Sequence, residues 1–145
     1  MATTRDDPFR NFNFIVEIDG ITTAGFLSVE GLEARIEVVE YRTGNEDITS
    51  RKLPGLKSFG NVILRRGLTK DHSLYQWFKA ILDGNIERRG VAIIVLDEKR
   101  QPQARFILRE AWPCRLKYDG LSAKGNDVAI EEMEIVVEDL TMEVG

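Results

Sequence analysis

One stretch of this chain, and one only, repeats its apolar residues at helical spacing. Leu74, Trp77, Phe78, Ile81 and Leu82 fall at i, i+3, i+4, i+7 and i+8, a single stripe of an amphipathic helix. Thr69 or Asp71 can cap its start, and Gly84 can end it in the left-handed conformation that glycine adopts freely. The spacing predicts one helix, over about residues 70–83. Almost everything else that has a period has period two. A mainly β fold with one α-helix follows. At 145 residues the chain is the size of a single domain, residues 1–145, and can bury a core without staples.

The strands read in order. Phe12, Phe14, Val16 and Ile18 alternate with Asn13, Glu17 and Asp19; Ile15 is the exception, and Asp19-Gly20 makes the turn. A second strand over Phe26 to Gly31 predicts a hairpin with the first. Ile36 to Tyr41 is a third strand. From Arg42 to Gly60 neither period holds, and Gly44, Asn45, Asp47, Pro54, Gly55 and Gly60 predict a long loop over residues 42–60. Loops of that length in a compact domain are commonly functional, with a solvated surface loop as the plain alternative. Val62 to Arg66 is a short strand. The run Val91 to Leu96, apolar on both faces, suits a central strand. Ala104 to Trp112 alternates and is expected to stop at Pro113, with another short strand over Arg115 to Leu121. In the last segment Val128 and Ile130 are apolar at even positions, Met133, Ile135 and Val137 at odd ones. A β-bulge near Glu131-Glu132, or a bent barrel strand, accounts for that slip.

Composition removes several function classes. A net charge of −4 argues against a general nucleic-acid binder. One cysteine and one histidine leave no disulfide framework, no cysteine-rich zinc site and no multi-histidine metal site. No apolar run approaches the ~20 residues of a membrane span. Met1 to Arg10 is polar and includes Asp6 and Asp7, unlike a secretory signal, so synthesis in the cytoplasm with Cys114 reduced is expected. Cys114 reads as a small buried hydrophobe. His72 falls at the helix start, where a protonated imidazole opposes the dipole, and reads as a surface or capping residue. Nucleophile-elbow, phosphate-loop and dinucleotide motifs are missing. No catalytic residue, cofactor or metal ligand is therefore expected, and the chain does not read as an enzyme.

The charge layout is the informative feature. Asp127 to Gly145 holds seven carboxylates and no Lys or Arg, whereas the segment from Arg51 to Arg66 carries Arg51, Lys52, Lys57, Arg65 and Arg66. Each is compatible with an ordinary solvated face. Together an acidic strand and a basic loop also suit a surface that binds other copies of itself.

An ordered set of short runs then becomes specific. Asp7-Pro8-Phe9-Arg10-Asn11-Phe12 through Asp19-Gly20 opens the chain; Gly25-Phe26, Val29-Glu30-Gly31-Leu32, Glu40-Tyr41-Arg42-Thr43-Gly44 and Lys52-Leu53-Pro54-Gly55 follow. Arg66-Gly67-Leu68-Thr69 precedes the helix, and Trp112-Pro113, Ala129-Ile130-Glu131 and Glu138-Asp139-Leu140 close the set. This order resembles that of tail tube proteins of contractile phage tails and phage tail-like injection systems, related in fold to the type VI secretion tube protein. The resemblance implies a small β-barrel or sandwich with one flanking α-helix, serving as a structural subunit of a rigid inner tube built of stacked hexameric rings whose lumen conducts DNA or effector cargo without binding it specifically. It implies synthesis in a bacterial cytoplasm and assembly into a phage tail or tail-like particle. Implied partners are further copies of the chain, the sheath protein, a baseplate or tube initiator, a tape-measure protein and a terminator cap. A closed ring needs two different complementary patches on each copy. Arg42, Arg51, Lys52, Leu53, Pro54 and Lys57 are the candidates for the subunit interface, and Glu37, Glu132, Glu134 and Glu138 for the lumen. A baseplate-proximal initiator paralogue and a monomeric soluble binding module are the alternative readings.

Overall fold

Two layers of antiparallel strands pack their apolar faces together in the computed structural model of the chain, which describes residues 13–21, 25–42, 44, 50–123, 125 and 129–144. The strands are β1 (Asn13–Ile18), β2 (Phe26–Glu30), β3 (Ala34–Tyr41), β4 (Arg51–Phe59), β5 (Val62–Gly67), β6 (Arg89–Leu96), β7 (Pro102–Asp119), β8 (Ile130–Val136) and β9 (Asp139–Val144). The helix α1 (Ser73–Leu82) lies between β5 and β6 in sequence. The main sheet runs β1-β6-β7-β8-β5-β2, with β9 also paired to β7; β3 and β4 form a separate two-stranded sheet.

The long strand β7 joins the layers. Its first half pairs with β6 on one side and β9 on the other, and its second half pairs with β8. Glu110 sits where the strand turns from one layer to the other and has a φ of 54°, rare for a residue with a Cβ. Pro113 does not end the strand as expected. It is buried inside β7 beside a register shift between Pro113 and Arg115, where a residue without an N–H is tolerated. Cys114 occupies that shift and is exposed rather than buried. The core between the layers is Val16, Ile18, Leu64, Val91, Leu108, Met133 and Ile135 with their neighbours.

Helix α1 follows the sequence reading closely. Leu74 and Trp77 are buried, and the Trp77 indole N–H donates to the Glu87 carbonyl at 2.7 Å. Asp71 supplies the cap, its Oδ1 accepting from the Ser73 N–H at 3.0 Å, while His72 makes no side-chain cap. At the other end Gly84, with φ of 91°, donates to the Ile81 carbonyl and Asn85 donates to that of Ala80. That bond pair is the Schellman closure.

Three further expectations change. β1 and β2 do not form a hairpin: β1 pairs with β6 and β2 with β5, because the two strands belong to opposite layers. Of the loop expected over residues 42–60, positions 43 and 45–49 lie outside the described residues, and most of the rest is strand. Residues 51–59 are β4, antiparallel to β3, with Val39 opposite Leu53 and Val38 opposite Pro54. A register shift lies between the pairs Ile36↔Lys57 and Val38↔Pro54, with Gly55 and Leu56 against the single residue Glu37, and it breaks the two-residue period. Gly55 is required there, since a Cβ would lie 2.8 Å from Val39 Cγ2. Nor is there a bulge at Glu131-Glu132. The β5–β8 register is unbroken from Val62↔Ile135 to Gly67↔Ile130, and Glu131 simply continues the inward face of Met133 and Ile135. Phe12 and Val128 lie outside the described residues.

Candidate functional site: a projecting ribbon, an open seam and a charged strand

The β3–β4 ribbon buries almost nothing. Every residue of β3 is exposed, as are most of β4. Ile36, Val38, Val39, Tyr41, Leu53 and Leu56 all present large apolar side chains to solvent, Leu56 at 77%. In an antiparallel pair directly opposed residues share a face, so Val39 with Leu53 lies on one side and Val38 with Pro54 on the other. Both faces of the ribbon are therefore partly apolar. A two-stranded hairpin with no covering layer is marginal in water, and grouped exposed hydrophobes mark an interaction surface. All six interface candidates fall on this element: Arg51, Lys52, Leu53, Pro54 and Lys57 on β4, and Arg42 directly after β3. The two strands of the ribbon carry four cations (Arg35, Arg51, Lys52, Lys57) against two carboxylates (Glu37, Glu40), on a chain of net charge −4.

A second unfinished surface lies at the opposite ends of the strand order. No strand pairs with the outer edge of β1 or of β2 among the described residues. Between these edges is an open apolar slot of about 420 Å³, walled by Phe14, Ile93 and Phe106 from one layer and Leu27, Val29 and Leu32 from the other. Leu27 stands at its mouth, 61% exposed.

The acidic strand is differently arranged. Glu131 points into the core, 2% exposed, where its carboxylate accepts from Arg66 Nε at 2.7 Å and from the Tyr118 hydroxyl at 2.8 Å. The Arg66 guanidinium, itself 1% exposed, also donates to the Asp71 side chain and carbonyl and lies 5.7 Å from the Phe26 ring centroid. Burial, then the bond to Glu131, pushes the Tyr118 phenol up to about 12. The Ser73 N–H first, and Arg66 after it, hold the Asp71 carboxyl below its usual range.

On the other face of β8, Glu132 accepts from Arg65 Nε at 2.6 Å and from Arg115 Nη2 at 2.8 Å. The Arg65 hydrogen bond, with the charges of Arg65, Arg115 and Lys117, lowers its pKa. Glu134 accepts from Asn61 and Arg115, and Arg65 continues outward to Glu30. Glu138, past the end of β8, accepts from Arg88 at 2.7 Å. Of the four lumen candidates, Glu132 and Glu134 thus share one strand face, Glu138 lies at the β8–β9 turn, and Glu37 is far along the sequence on the exposed ribbon.

The buried Arg66–Glu131 pair was missed at the sequence level. Its signal was present in the parity: Arg66 continues the inward series Val62, Leu64, as Glu131 continues Ile135, Met133. Two opposite charges on the apolar faces of two strands predict each other. Cys114, at the exposed shift in β7, has its thiol pushed up by partial desolvation and by the nearby Glu134 carboxylate, which disfavours the reactive thiolate.

This two-layer arrangement with one helix is the fold of tube proteins from contractile injection systems. It superposes on a chain of the PVC extracellular contractile injection system, from the sheath–tube complex in its extended state, with a TM-score of 0.85 and 24% identity over 97% of this chain and 94% of that one. A chain of the anti-feeding prophage tube-terminating cap gives 0.87 and 22%, covering 100% and 97%. Hcp1 from Flavobacterium johnsoniae gives 0.61 and 15%, covering 91% and 95%. A sequence comparison with curated proteins gives no match. The family model of the T4-like virus tail tube protein gp19 matches residues 10–141, and the chain belongs to that family.

Proposed function

We propose that this chain is the main inner-tube subunit of a contractile tail or tail-like injection system. Copies form hexameric rings, the rings stack, and the hollow rod conducts DNA or protein cargo without binding it specifically. The observation that carries this reading is the β3–β4 ribbon, whose large apolar side chains nothing among the described residues covers. A basic ribbon on an acidic body is complementary to another copy of the same chain. Ring closure uses two different patches per copy, and the ribbon residues Arg42, Arg51, Lys52, Leu53, Pro54 and Lys57 form one of them. Glu37, Glu134 and Glu138 face the lumen, whereas Glu132, a fourth candidate from the sequence, is only 5% exposed and lies behind that surface, bound to Arg65 and Arg115; the arginines paired to Glu134 and Glu138 temper the field that cargo meets.

The role is structural rather than enzymatic, in one tube domain made in the bacterial cytoplasm. Sheath, baseplate or initiator, tape-measure protein and terminator cap are the partners. The similarity to chains from a sheath–tube complex and a terminating cap supports the sheath and the cap among them. The test is negative-stain electron microscopy of the purified protein over a concentration series, with and without isolated baseplates as template. Hollow rods of uniform width are expected. Monomers at every concentration, even with baseplates, would overturn the reading.

A further inference from the structure

The ribbon and the slot are two unfinished surfaces of one molecule, and their chemistry matches. The ribbon is apolar on both faces, so lying flat on another surface satisfies only half of it. The slot has two walls, one from each layer, and its rims end in strand edges with no partner among the described residues. Its volume of about 420 Å³ admits side chains rather than a whole two-stranded backbone. The register shift in the ribbon turns Leu56 fully outward, three residues from the exposed Leu53. Charge extends the match. Lys52 and Lys57 flank those leucines on β4, while β1, which supplies Phe14 to the slot, carries the exposed carboxylate of Glu17.

We propose that the seam between β1 and β2 of one copy receives β4 of a second copy. Leu53 and Leu56 enter the slot against Phe14, Leu27 and Phe106. Lys52 reaches the carboxylate of Glu17 on β1. This rests on the self-assembly reading above and adds to it the acceptor surface and the residues that meet. It also gives the two patches that a heterologous ring or stack requires: the ribbon as donor, the seam as acceptor.

The experiment uses the full chain with Cys114→Ser as background. One variant carries Leu27→Cys and a second carries Leu56→Cys; they are mixed, assembled and oxidised, then run on a non-reducing gel. The expected result is a covalent dimer from the mixture and none from either variant alone, since like positions do not meet in this docking. Charge reversal sharpens it: Lys52→Glu should abolish assembly, and adding Glu17→Lys should restore it. Assembled particles without the mixed cross-link, and without charge rescue, overturn the docking while leaving the tube reading intact. If the background protein itself stays monomeric with baseplates present, the self-assembly reading fails and the docking with it.

Discussion

The β5–β8 strand pair and the β3–β4 ribbon invert the usual placement of charge and grease. In the first, Arg66 and Glu131 are among the most buried side chains of the molecule, yet every formal charge there has a partner: Glu131, Asp71 and Tyr118 surround one guanidinium and one carboxylate. In the second, valine, isoleucine and leucine side chains stand in solvent with nothing over them. The polar interior is finished within one chain, and the apolar exterior is not. Burial alone does not say which region of a protein is complete. Whether each group has met its counterpart does.

The largest effect expected from breaking this contrast is in the interior. Glu131→Ala leaves Arg66 buried without its main carboxylate and should cost about 3–5 kcal/mol, read as a lower urea midpoint of the monomer. The double change Arg66→Met with Glu131→Leu should recover most of that loss, because a buried ion pair and an apolar pair of similar volume are nearly equivalent. If the double variant is as unstable as the single one, the surrounding network matters more than the pair.

The next effect is one of assembly without stability. Leu53→Ser with Leu56→Ser should shift monomer stability by no more than about 0.5 kcal/mol, as for surface sites, while removing rods from micrographs. A large drop in the denaturation midpoint would show that the ribbon is already packed within its own chain.

Alkaline pH gives a smaller, signed effect. The folded Tyr118 phenol is raised from 10.0 to about 12, so the folded state prefers its protonated form. Its stabilising contribution is complete below pH 10 and fades as pH climbs from 10 to about 12. Tm measured across that window should fall more steeply for the natural chain than for Tyr118→Phe. On the acid side the signs reverse: Glu132 and Asp71 are lowered, so their contributions hold above the ordinary carboxylate range and are lost as pH falls through their depressed values. The smallest effect belongs to the ribbon's base, where Arg35 and Glu33 lie 3.5 Å apart in full solvent. Arg35→Ala should change the urea midpoint by less than about 0.5 kcal/mol equivalent.

What the sequence made legible was local. The helix stripe, its Asp71 start and its Gly84 end are set by residues within a few positions of each other, and all three reappear in the structure. The parity of Phe14, Val16 and Ile18 likewise named the inward face of β1. What stayed hidden depends on distant partners. Nothing near Asp19-Gly20 says that β1 will pair with β6 instead of β2, because that choice is made by the layer each strand joins. Pro54 and Gly55 imitate a loop only because the compensating shift lies across the ladder, at Ile36 to Val38. Glu131 imitated a bulge because a carboxylate on the core face is intelligible only once Arg66 stands opposite it. The interface candidates were chosen for their chemistry, and they lie on a ribbon instead of a loop.

The 18-residue strand β7 has a mechanical consequence. Because one continuous piece of backbone belongs to both layers, the layers are stitched covalently at the Glu110 corner rather than merely stacked. A pull along β7 loads the ladders to β6 and β9 in one layer and to β8 in the other in shear, many rungs at once. A push applied to either layer is thereby carried into the other along the chain itself, which makes each domain a stiff brick instead of a hinged pair of plates.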